Sequence, residues 1–303
     1  MTDSPYTIRN YQPSDFASYV LLSRQAVKIE PYARPVSSQS IAEWLAWPNF
    51  SPEHDLFVVE MNGDIVGYLD IRPELGIDRV ILNCWLLPEH RRKGLAGKLL
   101  ECAIRRAKQL GVKAVHVEVV ESNSDARTVL SKLGFNCIRD FHELKLDMSR
   151  IDWDEAEQVA RECRHFKPGE EAELTRMQNR SFAEHWGYNP DTLETITFRL
   201  NLSHHSPEDV ILMCHEEKIV GYCWTEVTSD VEGRISMIGS DPESRGKGIG
   251  RKVLLAGLAY LNSKGVSTAV LTVDSKNRTA RNLYKSVGFK LSKTILLYEK
   301  MVD

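Results

Sequence analysis

The run RGKGIGR, Arg245 to Arg251, alternates cations with glycines and leads into apolar residues at helical spacing. Val253, Leu254, Leu258 and Leu261 set that spacing, and Gly265 closes it. The start of a helix leaves backbone N–H groups unpaired and carries about half a positive charge. Gly246, Gly248 and Gly250 let the backbone close on an anion with no Cβ in the way, while Arg245, Lys247 and Arg251 add charge. The chemistry this suits is the holding of a pyrophosphate. The run is not a Walker loop, since no Gly-Lys-Ser/Thr follows, and its G-x-G-x-G spacing is not the dinucleotide fingerprint. Nearly the same phrase occurs earlier: EHRRKGLAGKLL, Glu89 to Leu100, against ESRGKGIGRKVL, Glu243 to Leu254. There Arg91, Arg92, Lys93, Gly94, Leu95 and Ala96 stand in the places of Arg245 to Gly250.

The elements that must position these loops are also written twice. IVGY at Ile65 returns at Ile219, 154 residues later. Pro88 and Pro242, Gly111 and Gly265, Asn123 and Asn277, Ala126 and Ala280, and Gly134-Phe135 and Gly288-Phe289 keep that offset. Repeats this long are domains rather than solenoid units. The reading is two domains, 1–150 and 151–303, divided near DMSRIDWDEAEQ where charge clusters and the strand pattern stops. In the second copy EDVILMC and IVGYCWTEV form a hairpin, GRISMIGS a third strand, STAVLTVDS a strand, RTARNLYKSVG a short helix and FKLSKTILLYEK a last strand. The expected fold class is α/β, two tandem domains that each hold a mixed, mostly antiparallel twisted sheet flanked by helices.

Bulk properties exclude several classes. With 303 residues, 27% charged and a formal net charge of −3, the chain lacks the basic footprint of a nucleic-acid binder. No apolar run approaches the ~20 residues that span a bilayer, and the N-terminus does not read as a secretory signal. Six scattered cysteines without CxxC spacing read as reduced core thiols of a cytoplasmic protein. His204-His205 has no third ligand at useful spacing, so no metal is expected.

R-x-x-G-x-G/A at a helix start, followed by NRTARNLYKSVGF, resembles the GNAT superfamily of N-acetyltransferases. The second motif matches that superfamily's pattern at Asn277, Ala280, Leu283, Tyr284, Gly288 and Phe289. In its tandem architecture the chain is similar to the mycothiol synthase group. The resemblance implies acetyl-CoA as co-substrate. It implies that the strand through Met237, Ile238, Gly239 and Ser240 pairs with the pantetheine, and that Arg245 to Arg251 hold the pyrophosphate. Gly239 would let that backbone splay or approach closely, Asn277 would orient the cofactor, and Tyr284 would stand near the sulfur as general acid. The implied reaction is acetyl transfer to a primary amine, best suited to a small molecule. A protein or peptide amine is the alternative. From another class, a non-catalytic acyl-CoA-binding sensor or scaffold is the competitor. Oligomeric state is not readable.

The copies differ at one place. The counterpart of Tyr284 is Leu130, which has no proton to give, and Ser131 is turned away by one helical step. The second domain is therefore expected to be the catalyst, the first a binder of acetyl-CoA through Arg91 to Ala96 or a scaffold. Where the mycothiol synthase group has an acidic residue after the strand-opening glycine, this chain has Arg234. Glu226 and Glu232 are the remaining candidate bases, or the proton leaves through water. His185, Trp186 and Tyr188 are candidates to line the acceptor cleft, and WLAWPNF reads as core or interface.

Overall fold

The computed structural model describes residues 5–29, 37–216 and 218–302. In chain order the first repeat runs β1 (Tyr6–Asn10), α1 (Phe16–Ile29), α2 (Ser38–Leu45), α3 (Pro52–Asp55), β2 (Leu56–Met61), β3 (Asp64–Glu74), β4 (Arg79–Leu86), α4 (Leu95–Leu110), β5 (Ala114–Val120), α5 (Ser124–Lys132) and β6 (Asn136–Asp147). The second runs α6 (Trp153–Ala160), β7 (Cys163–His165), α7 (Glu171–Phe182), α8 (Leu193–Leu200), β8 (Val210–His215), β9 (Lys218–Val227), β10 (Glu232–Ser240), α9 (Ile249–Ser263), β11 (Thr268–Asp274), α10 (Arg278–Val287) and β12 (Lys290–Met301). The strands and helices read from the second copy are all present. The helices α7 and α8, ahead of the hairpin, were not in that reading. Among the described residues no helix is long and apolar enough to cross a membrane.

The compact units are Met1–Arg139 with Leu296–Asp303, and Asp140–Ile295. Each repeat thus gives the end of its last strand to the other unit, so the units are not the two sequential halves. In the first unit β1 to β5 lie in order and the end of β12 completes the sheet beside β5. In the second the order is β6-β11-β10-β9-β8-β7.

Each sheet has an apolar core on both faces. In the second unit α9 and α10 cover one face through Cys223, Ile235, Val253, Leu254, Leu271 and Tyr284. On the other face α7 and α8 bury Leu174, Met177 and Ile196 against Tyr222 and Trp224. In the first unit α4 covers Leu69, Ile71, Leu82 and Val115 with Leu99 and Ala103. The opposite face carries Tyr19, Ile41, Phe50, Tyr68 and Trp85. Phe50, from WLAWPNF, is core, with Trp44 5.5 Å away ring to ring.

Both sheets open at the same place. β4 and β5 pair in parallel only from Arg79–Ala114 to Leu82–Val117. β10 and β11 pair only from Glu232–Thr268 to Ile235–Leu271. Beyond those points neighbouring strands part, leaving one edge of Asn83 to Leu86, and of Met237 to Ser240, without a strand partner among the described residues. Half the backbone groups of an open edge point outward and can pair with an extended amide-bearing ligand.

Candidate active site

The second unit's open strand carries an irregularity the first lacks. The β9–β10 register slips between Ile235 and Met237, so Ser236 is an extra residue. The β3–β4 ladder runs unbroken through eight pairs, from Gly67–Leu86 to Glu74–Arg79. A bulge bends a strand and re-aims its groups, and here it falls where β10 leaves β11. Gly239 follows. A Cβ on it would lie 2.7 Å from Ser181 Cβ and 2.8 Å from a Tyr222 ring carbon. The glycine therefore answers to close packing of α7, a partner the sequence reading did not supply.

Past Pro242 the chain turns into α9. Gly248 takes a left-handed φ of 77° as its N-cap, and no side chain caps the helix. Gly94 does the same for α4 at the same φ of 77°. Gly246 also sits at φ 77°, and Arg92, its counterpart, at φ 60°. Holding a non-glycine residue left-handed costs about 1–2 kcal/mol. The first copy keeps the loop shape at that cost.

The cations around Gly248 are not all directed at the helix start. Arg245 donates to Glu184 at 2.8 Å and to the Ser181 carbonyl at 3.1 Å. Arg251 pairs with Glu155 at 2.8 Å. These pairs are well exposed, so an incoming phosphate can compete for them at little cost. Lys247 is exposed at the turn. In the first unit Arg91 Nε donates to the Leu86 carbonyl at 3.0 Å, and its guanidinium lies 5.8 Å from the Trp85 ring centre. Arg92 and Lys93 are exposed, while Leu95 is buried.

α10 follows β11. Asn277 Oδ1 accepts from the Ala280 N–H at 3.0 Å and so caps the helix, as Asn123 does for Ala126 at 3.1 Å. Its carbonyl thus holds the helix end, and its amide N–H groups are available to a cofactor. Tyr284 is 6% exposed. Its ring meets Phe289 edge-on at 6.0 Å, and among the described residues no hydrogen bond reaches its hydroxyl. Burial pushes its pKa up, so it stays a neutral phenol able to donate. Leu130, 8% exposed, holds the same place in the first unit. The Phe289 N–H donates to the Tyr284 carbonyl at 3.0 Å, and the Phe135 N–H to that of Leu130 at 3.0 Å.

The face turned from α9 has a polar floor. Arg234 donates to Glu143 at 2.8 Å and to Thr272 Oγ1 at 3.2 Å, and Lys293 reaches Glu143 at 3.2 Å. Glu226 is the cross-strand neighbour of Arg234, and its carboxylate lies 3.7 Å from His205 Nε2. Glu232 sits at the closed end of β10, opposite Thr268 and 3.6 Å from Lys145, which removes it from the opening. His185, in the turn after α7, feels Arg245, Asp274 and Glu184. Partial burial and Arg245 lower its pKa, so it is neutral at pH 7. Trp186 is exposed, whereas the Tyr188 hydroxyl is engaged by Asn179 Oδ1 at 2.7 Å. Glu143, Thr272 and Lys293 were missed from sequence. They meet Arg234 only through strand pairing, which no local spacing encodes.

Two segments, residues 22–135 and 172–289, match the model of the acetyltransferase (GNAT) family. The chain belongs to the GNAT family. It is an N-acetyltransferase with two GNAT domains in tandem. The mycothiol acetyltransferase of Acidimicrobium ferrooxidans is 30% identical over 262 residues, covering 81% of this chain and 82% of the relative. That of Thermobispora bispora is 28% identical over 297 residues, covering 95% and 97%. A tandem GNAT protein from the clavulanic acid biosynthesis pathway superposes with a TM-score of 0.72 at 16% identity, over 98% of this chain and 99% of that one, a likeness of fold. GNAT proteins work with acyl-CoA, and in this chain the loops at Gly94 and Gly248 leave the N-termini of α4 and α9 without a side-chain cap.

Proposed function

We propose that the second unit transfers an acetyl group from acetyl-CoA to a primary amine of a small molecule by direct attack. The observation that carries this is Tyr284, a buried, neutral and unengaged phenol, at the position where the other copy has Leu130. The Ser236 bulge, present only in this unit, supports it. The pantetheine extends along Met237 to Ser240, whose outer edge lacks a strand. The pyrophosphate lies at the N–H groups of Gly246 to Arg251, with Arg245, Lys247 and Arg251 turning toward it. Asn277 offers its amide N–H groups to the same cofactor.

The amine lone pair attacks the thioester carbonyl carbon, the C–N bond forms and the C–S bond breaks. Electrons leave on sulfur, where Tyr284 donates a hydrogen bond or its proton. At reference values near 10 for tyrosine and 8.5 for a thiol, full transfer is uphill by about 2 kcal/mol. Burial of Tyr284 makes it steeper. The hydrogen bond to developing thiolate is then the larger benefit. Glu226 and neutral His185 are the proton acceptors that the geometry offers for the amine.

The same chemistry supports acyl-CoA binding without turnover in the first unit, through Arg91 to Ala96. The likeness to two mycothiol acetyltransferases favours a small-molecule acceptor. The test is thiol release from acetyl-CoA with a panel of small primary amines and of peptides with free N-termini. Release stimulated by one or more small amines is expected. Stimulation by peptides alone, or by nothing, would overturn the reading.

A further inference from the structure

The first unit buries a carboxyl that nothing in the acetyl-transfer scheme uses. Asp70, on β3, is 3% exposed. Its Oδ2 accepts from Asn83 Nδ2 at 2.9 Å, and among the described residues Oδ1 has no hydrogen-bond partner. Among the described residues no cation lies in ion-pair contact with it. Arg72, two residues on, is directed to Glu74 at 3.6 Å. A carboxylate so placed is unfavourable unless something comes to pair with it.

Its surroundings are those of a cation site. Asn83 is exposed and marks the solvent side. The same Asn83 amide lies 3.3 Å from the Tyr68 hydroxyl. Tyr19, from α1, packs edge-on against Tyr68 at 5.3 Å and feels the Asp70 charge. Cys84, on β4, feels that charge too. On β2 the residue paired with Asp70 is apolar Leu56. Trp85 pairs with Tyr68 on this same face, and its buried Nε1 has no acceptor. A carboxylate beside phenol rings recognises an ammonium group by charge and by ring quadrupole. An indole N–H left over suits a hydroxyl on the same ligand.

The second copy supplies an independent argument. Trp224 is the counterpart of Asp70, and the chain covers it with a cation of its own: the Arg199 guanidinium lies 4.3 Å from the Trp224 ring centre. With α2 laid on α8, cap to cap and Ile41 on Ile196, the counterpart of Arg199 is Trp44. One copy therefore fills this place with an internal cation, and the other presents a carboxyl with none among the described residues.

We propose that the first unit binds a small protonated amine bearing a nearby hydroxyl, with its ammonium on Asp70 between Tyr19, Tyr68 and Asn83. The site belongs to the first unit and does not depend on the reading proposed for the second. Burial holds the empty Asp70 carboxyl at about 7. An ammonium group favours the ionised form, so binding must lower that value.

The probe is ethanolamine, added to the full chain carrying ¹³C-carboxyl aspartate. The Asp70 carbon signal is titrated against pH with and without 100 mM amine. The expected result is a drop of at least one pH unit, a tenfold preference of the ligand for ionised Asp70, accompanied by a shift of the Trp85 indole N–H signal. Ethylene glycol and sodium chloride at matched concentration are expected to leave both unchanged. Asp70→Asn should remove the indole shift while leaving thiol release in the second unit unaltered. An Asp70 titration unmoved by ethanolamine, or moved equally by sodium chloride, would overturn the proposal. So would an indole shift that survives in Asp70→Asn.

Discussion

Tyr284→Phe is expected to lower kcat for acetyl transfer by about 10- to 100-fold while leaving the KM for acetyl-CoA within about twofold. A hydrogen bond to a charged group is worth about 1.5–3 kcal/mol, and here it is made only as sulfur gains charge, so its loss falls on kcat. The fold should not suffer. The ring keeps its place against Phe289 in the α9–α10 core, and the hydroxyl takes no hydrogen bond with it when it goes. Melting temperatures of the two proteins should agree within 2 °C or so. The pH profile adds a check. Because burial raises the phenol's pKa, wild-type activity should show no decline from tyrosine ionisation below about pH 10. Equal kcat values in the two proteins would mean the leaving thiolate is served by something else.

Asp70→Asn is expected to change how stability depends on pH. The carboxyl ionises near 4 in the unfolded chain and at about 7 in the folded one. Between those values the folded state holds the extra proton, so wild-type stability falls as pH rises through 4 to 7. At 1.36 kcal/mol per unit the loss from this group alone is on the order of 4 kcal/mol by pH 8. Asparagine has no proton to lose. The stability difference, variant minus wild type, should therefore grow in the variant's favour from pH 4.5 to pH 8, by roughly 3–4 kcal/mol. Urea denaturation at four pH values measures it. Parallel curves for the two proteins would show that Asp70 is not held near neutrality.

The glycine turns ahead of α4 and α9, and the helix α10, were legible because their signals are local. Glycine positions fix left-handed turns, Asn277 and Asn123 stand where a helix needs a cap, and Tyr284 and Leu130 follow at the same step. Strand order around the hairpin was legible for the same reason. What stayed hidden depends on partners distant in sequence. Ser236 looks like any residue of GRISMIGS, and only its register against β9 makes it a bulge. Arg234 was visible as a departure, yet its partner Glu143 lies 91 residues away. Asp70, in IVGYLDIRPE, alternates with apolar residues as a solvent-facing strand residue would. Its burial comes from what packs over β3. Gly239 reads from sequence as a place where the backbone splays or approaches closely, and Ser181 and Tyr222, which lie beside it, are distant in sequence. Asn277 was read for the cofactor alone, and its capping role became visible only with the helix in place.

The central claim, that acetyl transfer belongs to the second unit, meets its most direct test in a matched pair of loop variants. Gly248 and Gly94 share a φ of 77°, and a Cβ added at either would meet no atom within 4 Å. Aspartate is among the residues that tolerate this backbone region, so Gly248→Asp and Gly94→Asp carry the same strain and the same negative charge. Thiol release with a responsive amine is measured for both at subsaturating acetyl-CoA. The account predicts at least a 100-fold loss for Gly248→Asp and less than a threefold change for Gly94→Asp. The reverse order, or equal losses, would contradict it.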